Sequence, residues 1–302
     1  MFQNILIFGH SNIGDVIYDL VVVNPLTKRY PGAKVSFLTS KRCQDIVKGY
    51  RGIDQIIIMD RHGKNKGLLN RLRFTSELRK RKFDLVVVLS SSLNWLFLGS
   101  QAIWRIRKST GKQNCHPVDR YIDMLRSNGL MIEAASFGFN VSDEDNVFCE
   151  SFLKEKGVLP QDKLIGILPL AAWPLKSWPV EKWNRLAELL EQRWGIKMLN
   201  LGKLPDNELG RRVAHEISES IIPADKTNLL QAKALLKRCE MFIGPDSSLL
   251  HLASCMGIET VGLYGPTPYE RFYPYFHQNN IISVKKKLNC MPCSPGQQAI
   301  ML

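Results

Sequence analysis

Three short stretches of this 302-residue chain carry side chains whose types and spacing suit chemistry on a phosphate-bearing ligand. The densest is residues 244–275, GPDSSLLHLASCMGIETVGLYGPTPYERFYPY. It reads as a strand end, a tight turn, a polar helix start, a helix, a second strand and a Gly-Pro-Thr loop. Asp246, Ser247 and Ser248 stand at the helix start, where Ser and Asp are natural caps. The same hydroxyls, with the free backbone N–H groups of a first helical turn, also make an anion site. Thr267 in the following loop could donate to a phosphate or a ribose. His251 falls inside the helix and reads as structural.

The second stretch, residues 169–183, is PLAAWPLKSWPVEKW. Prolines and tryptophans stiffen a loop that leaves a strand and presents Lys176. A rigidly presented lysine at a sheet edge is a phosphate clamp. The alternative is an aromatic packing loop with Lys176 in solvent. The third stretch, residues 9–20, is GHSNIGDVIYDL, at the junction of the first strand and first helix. It lacks both the GxGxxG dinucleotide fingerprint and the Gly-Lys-Ser/Thr of a P-loop. Asp15 lies in the first helical turn, where the helix dipole favours a carboxylate. It is either that or a general base at the mouth of a crevice. His10 and Asn12 read as turn residues, with site lining as the alternative. Cys290 and Cys293 form a single CxxC, too few ligands for a zinc site, and read as free thiols.

Positioning these residues needs a β-α-β framework. Strand patterns at Asn4–Phe8, Lys34–Thr39, Gln55–Met59 and Asp84–Leu89 alternate with helical ones at Asp15–Tyr30, 41–49 and 68–82. A second set has strands at Leu164–Leu168, Ile196–Leu201, Met241–Ile243 and Thr260–Tyr264. Its helices are Val180–Trp194, Asn207–Ile217 and Asp246–Met256. The polar stretch Ser142–Asn146 reads as a linker between two α/β domains, 1–145 and 146–302.

Charge divides the chain unevenly. Residues 1–130 hold 22 Lys and Arg against 9 Asp and Glu, whereas residues 131–302 hold 19 of each. The excess is densest from Arg61 to Lys82, with nine basic residues against Glu77 alone. It reads as a solvated helix face or as a surface for an anionic partner, such as an anionic lipid face. No nucleic-acid motif accompanies it. No apolar run reaches the ~18 residues of a membrane span. The start MFQNILIFGH reads as a strand, with no signal peptide. Seven scattered cysteines read as reduced thiols of a cytoplasmic protein.

Taken in order, GDVIYDL, PGAKVSFLTS, FDLVVVLSSS, AAWPLKSWPVEKW, GPDSSLLHLASCMGIETVGLYGPT with YERFYPY, and CMPC resemble the ADP-heptose:lipopolysaccharide heptosyltransferases, glycosyltransferase family 9. The resemblance implies a GT-B fold, two Rossmann-like domains facing across a cleft, with the acceptor on the first and the nucleotide sugar on the second. It implies an inverting transfer of heptose from ADP-heptose, without metal or other cofactor, to the lipopolysaccharide inner core. Asp15 would deprotonate the acceptor hydroxyl and Lys176 would contact the donor diphosphate. Asp246 would contact the donor sugar, Ser247 and Ser248 would line the diphosphate turn, and Glu208 would hold the ribose. Thr267 would join the donor site. The partners implied are ADP-heptose, a phosphorylated lipid-linked oligosaccharide and the inner face of the inner membrane, with no nucleic acid. Arg61, Lys64, Lys66, Arg71 and Arg73 would dock acceptor and membrane. Val21 stands where the family has proline, Ser248 where its turn has glycine, and Ala171 and Ala172 where hydroxyl or glycine residues are common. The tail after CMPC is expected to be short. Other readings are a GT-B enzyme using another nucleotide sugar, an epimerase, or an idle sugar-nucleotide or lipid-binding relative.

Overall fold

The computed structural model describes residues 1–61, 63–91, 94–106, 115–284, 291 and 293. They form two compact units, Met1–Asn140 and Val141–Leu302. In the first unit come β1 (Asn4–Phe8), α1 (Ile13–Asp19), α2 (Val23–Arg29), β2 (Lys34–Thr39), α3 (Gln44–Val47) and β3 (Gln55–Ile58). Next come α4 (Leu68–Arg79), β4 (Leu85–Val88), β5 (Ala102–Arg105) and α5 (Pro117–Ser127). The strands are parallel, in the order β3-β2-β1-β4-β5. The first strand therefore lies in the middle, and the chain winds outward from it in both directions. Strands buried on both faces need continuous apolar runs. Ile5, Leu6, Ile7 and Phe8 supply one, each at most 1% exposed.

The helix expected over Asp15–Tyr30 is instead three pieces. α1 ends at Asp19, a 3-10 turn covers Leu20–Val22, and α2 resumes at Val23. Pro25 is the physical reason. It lacks an N–H, and its ring collides with the carbonyl four residues earlier, so the chain tightens before it.

The second unit contains α6 (Asp143–Glu155), β6 (Leu164–Ile167), α7 (Val180–Trp194), β7 (Lys197–Asn200), α8 (Glu208–Glu216) and β8 (Ile221–Pro223). It continues with α9 (Leu229–Arg238), β9 (Met241–Pro245), α10 (Ser248–Cys255), β10 (Glu259–Tyr264), α11 (Tyr269–Phe272) and β11 (Ile281–Ser283). The sheet order is β11-β10-β9-β6-β7-β8, again parallel with the unit's first strand inside. Trp183 of α7, fully buried, packs with Ile165, Ile167 and Met198 beneath the sheet.

The linker reading of Ser142–Asn146 is corrected here. Ser142 is the N-cap of α6, its side chain accepting from the Asp145 N–H, and Asp143, Glu144 and Asp145 fill the first turn. Three acids at a helix N-terminus are favoured by its dipole, so polarity marks a helix start rather than a tether. α6 packs against α9 and belongs to the second unit.

Candidate active site

In a doubly wound sheet, ligands bind beyond the C-terminal ends of the strands where the winding direction reverses. In the second unit this point lies between β6 and β9, and it is where Lys176 and Asp246 meet. Lys176 closes a 3-10 turn, Pro174–Lys176, on the loop after β6. Ser177 anchors that loop by accepting from the Ala171 N–H at 2.9 Å. Lys176 Nζ also lies 5.9 Å from the centre of the Trp173 ring. Asp246 sits between β9 and α10. Ser247 is the N-cap of α10, its hydroxyl accepting from the Leu250 N–H at 3.3 Å, and Ser248 opens the helix.

Lys176 Nζ donates to Asp246 Oδ2 at 2.6 Å, and His251 Nε2 bonds Asp246 Oδ1 at 3.0 Å. Both carboxylate oxygens are thus engaged, and the side chains of Lys176, Asp246 and His251 are 20%, 12% and 7% exposed. Burial alone would push the Asp246 carboxyl up. The His251 bond and charge and the Lys176 charge outweigh burial and hold it well below the usual range. Asp246 is a fixed anion, and it places a lysine beside a capped helix N-terminus. The loop after β10 closes on the same edge: a Cβ at Gly265 would lie 3.8 Å from the Leu175 carbonyl. Thr267 Oγ1, on that loop, is buried with no hydrogen-bond partner among the described residues. A buried orphan hydroxyl is costly unless a ligand meets it.

Glu208 is exposed in the first turn of α8, beyond β7, the neighbour of β6. It makes no hydrogen bond or ion pair with the side chains of Lys176 or Asp246. Cys293 is buried, and its N–H donates to the Pro266 carbonyl at 2.9 Å. Cys290 lies outside the described residues. Cys43, Cys115, Cys149, Cys239 and Cys255 are free thiols. Among the described residues no three His, Cys, Asp or Glu side chains gather as a metal site.

In the first unit the loop after β1 carries Asp15 in the first turn of α1. Asn12, the N-cap residue, donates to Asp15 Oδ2 at 3.3 Å. His10 is more than a turn residue. Its Nδ1 lies 2.9 Å from Oδ1 of the fully buried Asp19, and its backbone N–H donates to Asp19 Oδ2 at 2.7 Å. The sequence signal for this pair was nine residues of separation across a short helix, which no simple periodicity flags. Farther along, Lys64, Lys66, Arg71 and Arg73 are exposed and Arg61 is half-buried. Leu68, Leu69 and Leu72 of α4 are exposed among them, at 73%, 81% and 48%.

Solved structures share this architecture. A glycosyl transferase of family 9 from Veillonella parvula aligns at TM-score 0.81 with 23% identity, over 95% of this chain and 88% of that one. The E. coli ADP-heptose lps heptosyltransferase II aligns at TM-score 0.74 with 22% identity, over 94% of this chain and 91% of that one. The two doubly wound units are those of the GT-B fold, and the protein is a glycosyltransferase. The sequence profile of glycosyltransferase family 9 (heptosyltransferase) matches residues 71–300, and the chain belongs to that family. Lipopolysaccharide heptosyltransferase 2 of Salmonella typhimurium is 24% identical over 93% of this chain and 88% of its own length. No helix among the described residues is long and apolar enough to cross a membrane.

Proposed function

We propose that this protein transfers heptose from ADP-heptose to the inner core of lipopolysaccharide by a single inverting displacement. The observation that carries the reading is the Lys176–Asp246–His251 cluster beside the N-terminus of α10. A buried, permanently ionised aspartate that holds a lysine at a helix N-terminus suits a sugar diphosphate. The carboxylate meets sugar hydroxyls, while the lysine and the N–H groups of Ser247 and Ser248 meet the departing diphosphate. Thr267 Oγ1 gains its missing partner from the same ligand, and Glu208 takes the ribose hydroxyls. Asp15, on the first unit, removes the acceptor proton as its oxygen attacks the anomeric carbon. ADP leaves with the bonding electrons, and no cofactor enters the step.

The acceptor is a phosphorylated lipid-linked oligosaccharide, met in the cytoplasm at the inner face of an anionic membrane. Arg61, Lys64, Lys66, Arg71 and Arg73 supply the counter-charge, and Leu68, Leu69 and Leu72 between them supply apolar contact. The same surface is not a nucleic-acid reader. Glu substitution at Lys64, Lys66, Arg71 and Arg73 should release the protein from vesicles containing anionic lipid; unchanged sedimentation with those vesicles refutes the docking role.

The deciding experiment is transfer from ADP-heptose onto a panel of truncated lipopolysaccharide acceptors, read by mass spectrometry. One acceptor should gain a single heptose with inverted anomeric configuration. Asp15→Asn should abolish turnover while donor binding, measured by calorimetry, persists. Donor binding without transfer onto any acceptor would instead identify a sugar-nucleotide-binding relative.

A further inference from the structure

The transfer reading leaves the His10–Asp19 pair without a task, although the fold invests heavily in it. Asp19, the last residue of α1, is fully buried, and its carboxylate accepts from the His10 backbone and from its ring. A carboxylate beside Nδ1 fixes the proton on that nitrogen and leaves Nε2 as the basic one. The His10 side chain is 28% exposed, and the edge away from Asp19 is the one that carries Nε2. Around it the loop is clamped. Thr39 Oγ1 donates to the His10 carbonyl at 2.7 Å, Ser40 Oγ to the Ser11 carbonyl at 2.9 Å, and Cys43 Sγ to the same oxygen at 3.2 Å. Gly9 makes the close approach possible: a Cβ there would lie 2.7 Å from the Phe37 ring and 3.0 Å from Asp19 Oδ2.

Charged and titratable groups reach the pair from each packed element. Asp19 and Asp15 come from α1, Arg120 and Tyr121 from α5, and Cys43 from the turn after β2. Tyr121 is 4% exposed, and burial with the nearby Asp19 charge pushes its phenol up. Burial weakens the imidazole as a base and Arg120 opposes its protonation. The bond and charge of Asp19, helped by Asp15, outweigh both, and His10 is more basic than free histidine.

We propose that His10, oriented by Asp19, is where the acceptor's proton comes to rest, Asp15 being the carboxylate that first removes it. The inference rests on the reading of this chain as an ADP-sugar transferase with Asp15 as base. In the step, the acceptor O–H bond breaks and its oxygen bonds the anomeric carbon. The bond from that carbon to the diphosphate breaks, and its electron pair leaves with ADP. The proton passes to the Asp15 carboxylate and then to His10 Nε2, where the imidazolium is neutralised by Asp19. An imidazole is ordinarily about 2.6 pK units more basic than a carboxylate of the aspartate type, so the transfer runs downhill. A protonated His10 can accept nothing further.

Turnover measured against pH tests this. In the native protein kcat should fall on acidification with a limb above pH ~6.5, the ordinary histidine value. His10→Gln should move that limb into the carboxylate range and lower kcat at neutral pH by about 10- to 100-fold, leaving the donor KM unchanged. Asp19→Asn should move the limb downward. Because that buried change could impair folding, a nitrogen-15 NMR titration of the native protein supplies a second measurement. It should show His10 protonated on Nδ1 and titrating above the ordinary histidine value. An acid limb unmoved by His10→Gln, or a proton resident on Nε2 of neutral His10, overturns the proposal. Full activity in Asp15→Asn, or no transfer by the native protein, would instead bring down the reading beneath it.

Discussion

Each unit holds an aspartate bonded to a histidine, and the two pairs behave oppositely. Asp19 in the first unit is sealed from solvent and meets one imidazole; burial pushes its carboxyl up, with His10 pulling it back. Asp246 in the second meets an imidazole and an ammonium at 2.6 Å, and its carboxyl is held far down. The added lysine makes the difference. With an ammonium beside the imidazole a carboxylate becomes a fixed charge on which a ligand can be organised. With one neutral-to-cationic partner in a dry site, the proton stays exchangeable. The same two residue types thus serve electrostatics in one unit and proton traffic in the other.

The contrast is broken most forcefully at Asp246. Asp246→Asn leaves Lys176 and His251 without their anion. It should lower turnover by about 100- to 1000-fold and stability by about 3 kcal/mol, read by ADP release and urea unfolding. A variant that keeps native turnover removes Asp246 from the chemistry.

A second test uses the sign of the pH dependence. As pH falls below about 4, the unfolded chain binds the Asp246 proton before the folded one does, so stability from this group is lost on acidification. His10 is the reverse. Its folded form holds the proton to higher pH, so its stability is present below pH ~6.5 and lost as pH rises through the folded value. Asp19, raised by burial, adds a loss of the same sign as His10 in the carboxylate range. Unfolding curves from pH 3 to 9 should therefore flatten on the acid side in Asp246→Asn and on the alkaline side in His10→Gln. Both variants changing the same limb would erase the distinction between the units.

The smallest effect is expected at Thr267. Thr267→Val removes a buried hydroxyl that has no partner among the described residues. Stability should stay within about 1 kcal/mol, while donor affinity drops by about 3- to 10-fold. Calorimetry with ADP-heptose checks this; unchanged affinity would place the donor away from the Gly265–Thr267 loop.

Elements with a complete local signal were legible in the sequence. β1 at Asn4–Phe8, β2 at Lys34–Thr39 and α7 at Val180–Trp194 match their expected bounds, because apolar runs or caps delimit them. The α9 signal was present but unread: Asn228 and Gln231 form a capping box at the head of LLQAKALLKR. β5 was harder, an edge strand with Ile103 half in solvent and no buried run to announce it. At the site, Lys176 and Asp246 each stood out on their own loops. Their mutual bond did not, since 70 residues separate them and only the β6–β9 pairing brings their loops together. His251 reads as structural, and its structural task is to be the second clamp on Asp246, reached because the N-cap turn folds the carboxylate back over the helix. The three-piece α1–α2 region shows one proline outweighing sixteen residues of helical periodicity.

Placing β1 at the centre of its sheet has a consequence for how the chain is made. β1 leaves the ribosome before either of its partners, pairing on one side with β2 and on the other with β4, Ile5 opposite Leu85. The nascent chain can form the β1–β2 pair early, but the opposite edge of β1 stays open until some eighty more residues have emerged. Translation therefore sets a waiting period in which an apolar strand keeps a bare edge. Once β4 and β5 arrive the first unit can close, before the second has been fully synthesised.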